Sequence, residues 1–423
     1  MKIIKLCRVQ AFIAAGLVLV SLTTANPARA DAVVDWNVIA TQAVAAAARV
    51  GGAAGLDFAM VHVAIHDAVQ AYDGRFQSYS IAIPEATGSP VAAIASAAHD
   101  VLVNRFPGQA ASLDTAYHTY LANNTLAEND PGVSVGQLAA AAIIALRAND
   151  GSYPADPEKF LGGTAPGEWR PTPPAFAPMA VAWLASVTPF TLKDPTQFGA
   201  PPPPSLNSGR YTQDYNEVKA MGALVNSSRT TEQTDLAYFY ADNAFFYWNR
   251  AIQGLAGAHL NNLGDSARLF ALCSLAMADA PIVCWNTKRY YNFWRPITAI
   301  QEGDNDGNPK TDGDSSWLPL IVTPAYPDYT SGANSVSGSV SRMLENFFGT
   351  DEVTFSITSN FPLAVRKTRT YSRFSDAAQD VVDARILLGI HFRTADEVAR
   401  RQGKQVADWA FNRVLRPLDE NEN

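Results

Sequence analysis

Apolar residues recur at three- and four-residue intervals along most of the chain, which is the spacing of amphipathic helices. In the first third this spacing predicts helices over 36–49, 56–71, 91–105, 110–123 and 135–149. Further on it predicts helices over 215–225, 231–255, 266–285, 335–348 and 375–391. Thr394-Ala-Asp-Glu397 has the pattern of a capping box that opens a last helix, ending near residue 415. No long stretch alternates with the period of a strand, so the predicted fold class is all-α, a helical bundle with an additional N-terminal helical region.

Prolines interrupt this pattern over residues 164–205, where Pro201 to Pro204 are four in a row. Proline removes a backbone donor and fixes φ, so this stretch is predicted to be a long connection, either a linker or a belt over the surface. It suggests three regions: N-terminal helices over 31–163, the Pro-rich connection over 164–205, and a helical bundle over 206–418 that carries the candidate site.

Residues 1–30 have the organisation of a secretory signal peptide. A basic start precedes an apolar run from Ala11 to Leu22, and Ala28-Arg29-Ala30 offers a cleavage site with small residues. The expected location is therefore periplasmic or extracellular. An uncleaved membrane anchor is the alternative, although the apolar run is short for a bilayer span.

Charge and composition limit the classes of function that the protein can have. Hydrophobic residues make up 48% of the 423-residue chain and charged residues 17%, which permits a large core and argues against disorder. The segment 1–30 contains four basic and no acidic residues, so its removal takes the net charge from −8 to −12. So acidic a protein is a poor nucleic-acid binder, and no nucleic-acid partner is expected. No integral membrane segment is expected in the mature chain. Cys273 and Cys284, eleven residues apart on one predicted helix, are expected to be buried free thiols.

The candidate chemistry lies in the second half of the chain. Lys288 and Arg295 are seven residues apart, which on one helix would place them two turns apart on nearly the same face. The residues around them are aromatic, so the stretch is expected to be buried, and buried cations need anionic partners. No acidic residue lies between 280 and 300. A bound tetrahedral oxyanion, phosphate or vanadate, would supply the missing charge; the alternative is a solvated basic face.

Two further short stretches fit the same anion. Ser331-Gly332 precedes a predicted helix, where a hydroxyl and backbone N–H groups can form an anion cradle, although an ordinary turn would have the same sequence. Arg385 and His391 are six apart and do not share a helix face, but a long arginine can reach a histidine near the helix end. A lone histidine on an apolar helix can equally be a satisfied core residue.

Other candidate sites are weaker. His62 and His66 lie at i and i+4 and could bind a metal, but no third ligand suggests itself. The acidic loop 304–314 begins like a calcium loop and lacks the glutamate of the twelfth position, which is Ser315. A solvated turn-rich loop is the preferred interpretation, with calcium as the alternative.

Together the three stretches resemble the superfamily of vanadium-dependent haloperoxidases and type 2 phosphatidic acid phosphatases (PAP2). The family pattern is Lys-x6-Arg-Pro, then Pro-Ser-Gly-His, then Arg-x5-His. The first and third are complete, from Lys288 to Pro296 and from Arg385 to His391, and Thr330-Ser331-Gly332-Ala333 stands for the second. Blocks such as Asn292 to Ile300 are similar to the secreted bacterial haloperoxidase branch. The resemblance covers residues 205–415 firmly and the N-terminal helices loosely.

The resemblance implies a role for each site residue. Lys288, Arg295 and Arg385 would neutralise the oxyanion, and Ser331 with the Gly332 N–H would donate hydrogen bonds to it. His391 would bind vanadium axially in a peroxidase or attack phosphorus in a phosphatase. In a peroxidase, Lys288 would also polarise peroxide toward halide attack. The implied cofactor is vanadate, or none if phosphate is the substrate or ligand, and the implied small-molecule substrates are hydrogen peroxide and halide, or a phosphate ester.

One position departs from the family pattern. The family's second histidine, its general acid–base, falls on Ala333, which cannot move a proton. Three hypotheses stay open: a secreted vanadate-dependent haloperoxidase, a soluble PAP2-type acid phosphatase with His391 as nucleophile, and a phosphate-binding relative with impaired catalysis. A phosphatase would suffer most from the loss, because its alkoxide leaving group needs a proton. Asp328 or a water molecule could stand in for the missing group.

Overall fold

Helices form most of the regular structure in residues 31–49 and 51–418, the part of the chain that the computed structural model describes. The predicted signal peptide, 1–30, lies outside the described residues. The α-helices within the described ranges are α1 (Ala32–Ala46), α2 (Ala53–Asp73), α3 (Pro90–Arg105), α4 (Ala110–Asn123), α5 (Pro131–Arg147), α6 (Gly209–Met221), α7 (Thr231–Phe239), α8 (Ala244–His259), α9 (Leu263–Tyr291), α10 (Pro296–Gln301), α11 (Gly332–Phe348), α12 (Phe374–Leu387) and α13 (Arg393–Phe411). This confirms the all-α fold class.

One β-hairpin was not predicted. Strand β1 (Phe355–Thr358) pairs antiparallel with β2 (Thr368–Tyr371), with Phe355 opposite Tyr371. Each strand has only four residues, too few for the period-two pattern to stand out in the sequence. The hairpin packs against α8 and does not reach the candidate site.

Helix α9 is the central element of the fold. It packs against α2 on one side and against α11 and α13 on the other, and so joins the N-terminal helices to the C-terminal bundle. Its apolar stretch is long enough to cross a membrane, but that stretch is entirely buried within the protein, as in the core helix of a globular fold. The helix continues through Pro281 to Tyr291, beyond its predicted end at residue 285, and thereby carries Lys288 on its last turn.

The Pro-rich connection forms a belt over the other helices. Its short 3₁₀ helix, Ala182–Ser186, packs against α9. The buried Asp279 carboxylate on α9 accepts hydrogen bonds from the backbone N–H groups of Phe190 and Thr191, at 2.6 and 2.7 Å. A chain without its own ladder of hydrogen bonds is thus fixed by a side chain of the core. The division into regions at residues 163 and 205 stays a prediction.

The predicted helix over 231–255 was wrong as a single element. Helix α7 ends at Phe239 and α8 begins at Ala244, because Asn243 caps the new helix by accepting a hydrogen bond from the Phe245 N–H at 3.0 Å. A residue whose side chain binds the backbone two positions on competes with helix continuation. The predicted helix start near Thr230 is confirmed, where Thr230 and Gln233 form a capping box.

The capping box predicted at Thr394–Glu397 is not formed. Helix α13 begins one residue earlier, at Arg393, and has no cap from its own N-cap side chain. The carboxylate of Asp214, on α6, instead accepts a hydrogen bond from the Thr394 N–H at 3.1 Å. A long-range partner therefore replaces the local one, which no local pattern would reveal.

Both described cysteines are free and buried, as predicted. Cys273 lies within the core of α9, and the Cys284 thiol donates a hydrogen bond to the Thr330 carbonyl at 3.1 Å. Burial raises the pKa of the Cys284 thiol, so the thiolate is disfavoured.

Helices α11 and α13 form the most extensive helix–helix contact of the fold, and Gly403 makes it possible. A Cβ atom on Gly403 would lie 2.3 Å from the Ser335 carbonyl oxygen and 2.7 Å from the Ser339 nitrogen. Backbone atoms cannot move aside as a flexible side chain can, so the two helices approach this closely only with glycine at position 403.

We expect Gly403→Ala to lower the free energy of unfolding by about 1–3 kcal/mol, because the helices must separate. Thermal and denaturant unfolding would measure this change. Gly254→Ala is the matched control, since Gly254 lies inside α8 with no atom within 4 Å of the added Cβ. That substitution should be neutral or stabilise by up to about 1 kcal/mol. Equal unfolding free energies for the two variants would contradict this account of the helix contact.

Candidate active site

Three cations predicted from the sequence surround one imidazole. The Arg295 Nη1 atom lies 3.1 Å from Nε2 of His391, and both side chains are buried. Burial lowers the pKa of His391 well below its ordinary value, and the positive charges of Arg295, Lys288 and Arg385 lower it further. The imidazole is therefore neutral at neutral pH, and the four side chains lie in one electrostatic environment.

Lys288 and Arg295 do not share a helix, contrary to the interpretation of their spacing. Helix α9 ends at Tyr291, and Asn292 adopts a left-handed backbone conformation with φ of 47° that turns the chain. Arg295 is then the N-cap of α10, whose first residue is Pro296. A turn, and not helical periodicity, brings the two cations to one site.

The Lys288 ammonium group is fully buried and has no carboxylate partner within salt-bridge distance among the described residues. It donates hydrogen bonds to the backbone carbonyls of Pro327 and Asp328, the latter at 3.0 Å, and lies 4.9 Å from the centre of the Tyr326 ring. Desolvation lowers its pKa to about 7, with a further contribution from the charge of Arg295. A bound anion would favour its protonated form.

Asp328 was named in the sequence analysis only as a substitute acid, and the structure gives it a different contact. Its Oδ1 atom lies 2.8 Å from Nδ1 of His391 and 3.9 Å from Nη1 of Arg295. Burial raises the pKa of Asp328 to about 7 in spite of the nearby cations. A neutral imidazole that donates from Nδ1 to this carboxylate keeps a lone pair on Nε2, the nitrogen beside Arg295.

Ser331 and Gly332 lie at the start of α11, with Ser331 as the N-cap. The helix begins about one turn earlier than predicted, so both residues belong to a helix N-terminus, where an anion is favoured. A Cβ atom on Gly332 would lie 3.0 Å from the Trp285 ring, so glycine lets this indole cover the helix start.

Behind Ser331 lies a buried polar cluster that sequence reasoning missed. The Asn334 amide donates a hydrogen bond to Oδ1 of Asp396 at 2.8 Å and lies 3.5 Å from the Ser331 hydroxyl. All three side chains are fully buried. Asp396 stood in the sequence as the third residue of an expected capping box, which would have exposed it. No local pattern in the sequence indicates this contact, because Asn334 and Asp396 are 62 residues apart.

Arg385 and Ala333 face a cavity of about 250 Å³ beside the site. Arg385 is on the last turn of α12, and its Nη1 atom donates a hydrogen bond to the Tyr240 carbonyl at 3.2 Å. His391 follows four residues after the end of this helix and is not part of it, whereas the sequence predicted a helix to residue 391. The cavity walls combine the aromatic side chains of Phe245, Trp285 and Tyr326 with polar groups that include Asp242. Such walls suit an organic molecule.

The donor set fits a tetrahedral oxyanion. Nη2 of Arg295 and Nε of Arg385 are buried guanidinium nitrogens with no hydrogen-bond acceptor in the protein. Buried donors without acceptors are rare and costly, and an oxyanion offers four acceptor oxygens. The residues that could hold it are Lys288, Arg295, Arg385, Ser331, Gly332 and His391.

The side chains of the weaker candidate metal sites form hydrogen bonds within the protein. Nε2 of His62 lies 2.8 Å from Oδ1 of Asn37, and Nε2 of His66 lies 3.1 Å from the Gln77 carbonyl oxygen. Burial lowers their pKa values to about 3 and about 4. No group of three or more metal-ligating side chains occurs in the described ranges, including the loop 304–314. There the Asp306 carboxylate instead accepts hydrogen bonds from the Asn308 N–H and the Thr311 hydroxyl.

Comparisons with known proteins identify a matching family model and a curated relative. A family model described as the VCPO second helical-bundle domain matches residues 268–420. Vanadium chloroperoxidase from Curvularia inaequalis is 29% identical over an alignment of 185 residues, and the match covers 36% of this chain and 30% of that protein. The chain thus matches less than a third of the length of this curated relative.

Solved structures match over nearly the whole chain. The structure titled the first bacterial vanadium-dependent iodoperoxidase has a TM-score of 0.78 and 25% identity, and the match covers 92% of this chain and 97% of that one. A holo-type bacterial vanadium-dependent chloroperoxidase has a TM-score of 0.70 at 19% identity, with 85% and 92% covered, and is evidence for the fold alone.

The pKa values of Lys288 and Asp328 predict how anion affinity depends on pH. Below about pH 7 Lys288 is charged and Asp328 is neutral, so the site is most positive. Above it Lys288 loses its charge and Asp328 gains one, and both changes weaken anion binding. We expect sulfate affinity to be flat below about pH 7 and to fall above it, by about tenfold per pH unit for each proton taken up on binding.

Sulfate is the suitable probe because its own charge is constant over this range. Calorimetric titrations at constant ionic strength would give the slope. In Lys288→Arg the guanidinium stays charged, so the slope should fall by about one proton. Affinity that is independent of pH, or that rises with it, would contradict the assignment.

Proposed function

This chain belongs to the vanadium haloperoxidase and PAP2 superfamily, and we propose that it is an exported haloperoxidase that oxidises halide with hydrogen peroxide at a vanadate held by Lys288, Arg295, Arg385 and His391. The observation that carries the proposal is the convergence of three cations on one neutral imidazole in a dry site. The two buried guanidinium nitrogens without acceptors support it. Export rests on the sequence of residues 1–30 alone.

Each site residue would have its own role in the proposed reaction. Lys288, Arg295 and Arg385 balance the charge of the anion, and the low polarity around them strengthens each interaction. Ser331 and the Gly332 N–H add hydrogen bonds at the start of α11. His391 presents the Nε2 lone pair because Asp328 holds the proton on Nδ1. Bound vanadate would supply the activation of hydrogen peroxide for oxygen transfer to halide.

The cavity beside Arg385 fits a second part of this reaction. Its aromatic wall residues could contact an organic molecule during halogenation, or exclude water from the oxidised halide. The halide and the organic substrate are not distinguished by these walls.

A soluble acid phosphatase is the alternative that one observation favours. A neutral imidazole with an unprotonated Nε2 is also the form needed by a nucleophile that attacks phosphorus. Ala333 counts against it, because no histidine stands where the leaving alkoxide would be protonated. The same substitution motivates the third hypothesis, a phosphate-binding relative with impaired catalysis.

We expect vanadate to switch on peroxide-dependent bromide oxidation by the purified protein. His391→Ala should lower that activity by more than about hundredfold, because the only imidazole in contact with Arg295 in the described structure is removed. Halogenation of a dye would measure the rate. His118→Ala is the control, since His118 is an exposed histidine paired with Glu128 and should not affect the rate.

The same preparations should be assayed for hydrolysis of a phosphate ester. Hydrolysis that vanadate inhibits, without halide oxidation, would replace the peroxidase proposal by the phosphatase. Tight phosphate binding with neither activity would support the impaired relative.

A further inference from the structure

We propose that Asp396 is the acid of this site and that it exchanges a proton with the bound oxyanion through the Ser331 hydroxyl. It would thereby take the role of the family histidine, which is replaced by alanine at position 333. This inference rests on the oxyanion site of the proposed function and adds a residue to it. It answers how a site with alanine at position 333 can still move a proton.

Asp396 lies in the right place for this role. It is on the first turn of α13, fully buried, and the Ser331 hydroxyl lies beside its carboxyl group. Its Oδ1 atom accepts the hydrogen bond from Asn334 at 2.8 Å, and its Oδ2 atom has no partner in the protein. A carboxyl group fixed through one oxygen, with the anion-binding serine nearby, is positioned to give or take a proton.

The surroundings favour the protonated form of this carboxyl group. Desolvation raises the pKa of Asp396 well above its ordinary value, and the nearby Ser331 hydroxyl and the charge of Arg385 offset this only in part. Asp328 repels a second negative charge, whereas Lys288 and Arg295 attract one. An acid that is neutral at rest has a proton to donate.

The other polar residues near Ala333 cannot take the role of the missing histidine. Asn334 has an amide that does not titrate, and it fixes Asp396 by donating to Oδ1. Asp328 already pairs with Nδ1 of His391 on the other side of the site. Asp396 is the remaining carboxylic acid in the cluster, and no contact with His391 or the cations engages its Oδ2 atom.

The proton step balances as follows. The Ser331 O–H bond breaks as its proton passes to an oxygen of the bound anion, and the Oδ2–H bond of Asp396 breaks as that proton passes to Oγ of Ser331. Asp396 is left as a carboxylate, stabilised by the nearby Arg385 charge. The reverse transfer, from a product hydroxyl through Ser331, restores the acid. No oxidant or metal takes part in this step.

The first experiment measures activity. Asp396→Asn keeps the shape and the acceptor for Asn334 but removes the proton, so kcat should fall by about 10²–10⁴. Adding Ala333→His to that variant should restore at least about tenfold, whereas Ala333→His alone should have a smaller effect. Asp67→Asn is the matched control, because Asp67 is an equally buried carboxyl group far from the site that accepts from the Tyr79 and Ser80 N–H groups.

The second experiment does not depend on turnover. Infrared difference spectra at about pH 8, where Asp328 is largely ionised, should show a protonated-carboxyl band that inorganic phosphate shifts or removes. The band should be absent in Asp396→Asn, and Ser331→Ala should abolish its response to phosphate. Ser331→Ala leaves the contact between Asn334 and Asp396 in place, so it tests the relay even if the Asp396 variant does not fold.

The outcomes separate this inference from the proposed function. If the wild-type protein does not oxidise halide, the peroxidase proposal is wrong. A carboxyl band that responds to phosphate would still support the role of Asp396 in that case. An active protein whose Asp396→Asn variant keeps wild-type kcat, or whose carboxyl band ignores phosphate, overturns the role of Asp396 and leaves the peroxidase proposal standing.

Discussion

The structure depends on placing three positive charges in an interior from which water is excluded. Lys288, Arg295 and Arg385 repel one another, and desolvation disfavours the charges of Lys288 and Arg295, so the fold can tolerate them only with compensation. Part of it comes from backbone carbonyls, such as that of Tyr326, which accepts from Nε of Arg295 at 2.7 Å. Another part comes from Asp328. The remaining imbalance is what makes the site attractive to an anion, so the cost of folding and the capacity to bind arise from the same charges.

The rest of the architecture holds those charges in place. Helix α9 brings Lys288, α12 brings Arg385, and the starts of α11 and α13 bring Ser331 and Asp396. Because α11 and α13 meet across Gly403 with almost no space between their backbones, the serine and the carboxyl group cannot drift apart independently. The relative position of Ser331 and Asp396 is therefore set by helix packing.

The sequence predicted the fold class and the main site residues, because both depend on local signals. Helical periodicity located most helices, and the spacing of basic residues within aromatic surroundings indicated Lys288 and Arg295. The route by which the residues meet was not predictable in this way. The turn at Asn292 depends on one left-handed residue, and the contact of Asp328 with His391 joins positions 63 apart. Asp396 was misassigned because a capping motif explained it locally, while a partner on α6 had taken over the cap.

The position of a cysteine on α9 affects how long the protein would survive under the conditions of the proposed reaction. Cys284 is one turn from Lys288, so a sulfur atom sits close to where strong oxidants would be made and used. Sulfur is attacked mainly as the anion and where reagents can reach it. Here the thiol is sealed in the core, and its proton is engaged by the Thr330 carbonyl. The arrangement protects an easily oxidised residue, which can therefore pack in the core next to a site that would produce strong oxidants.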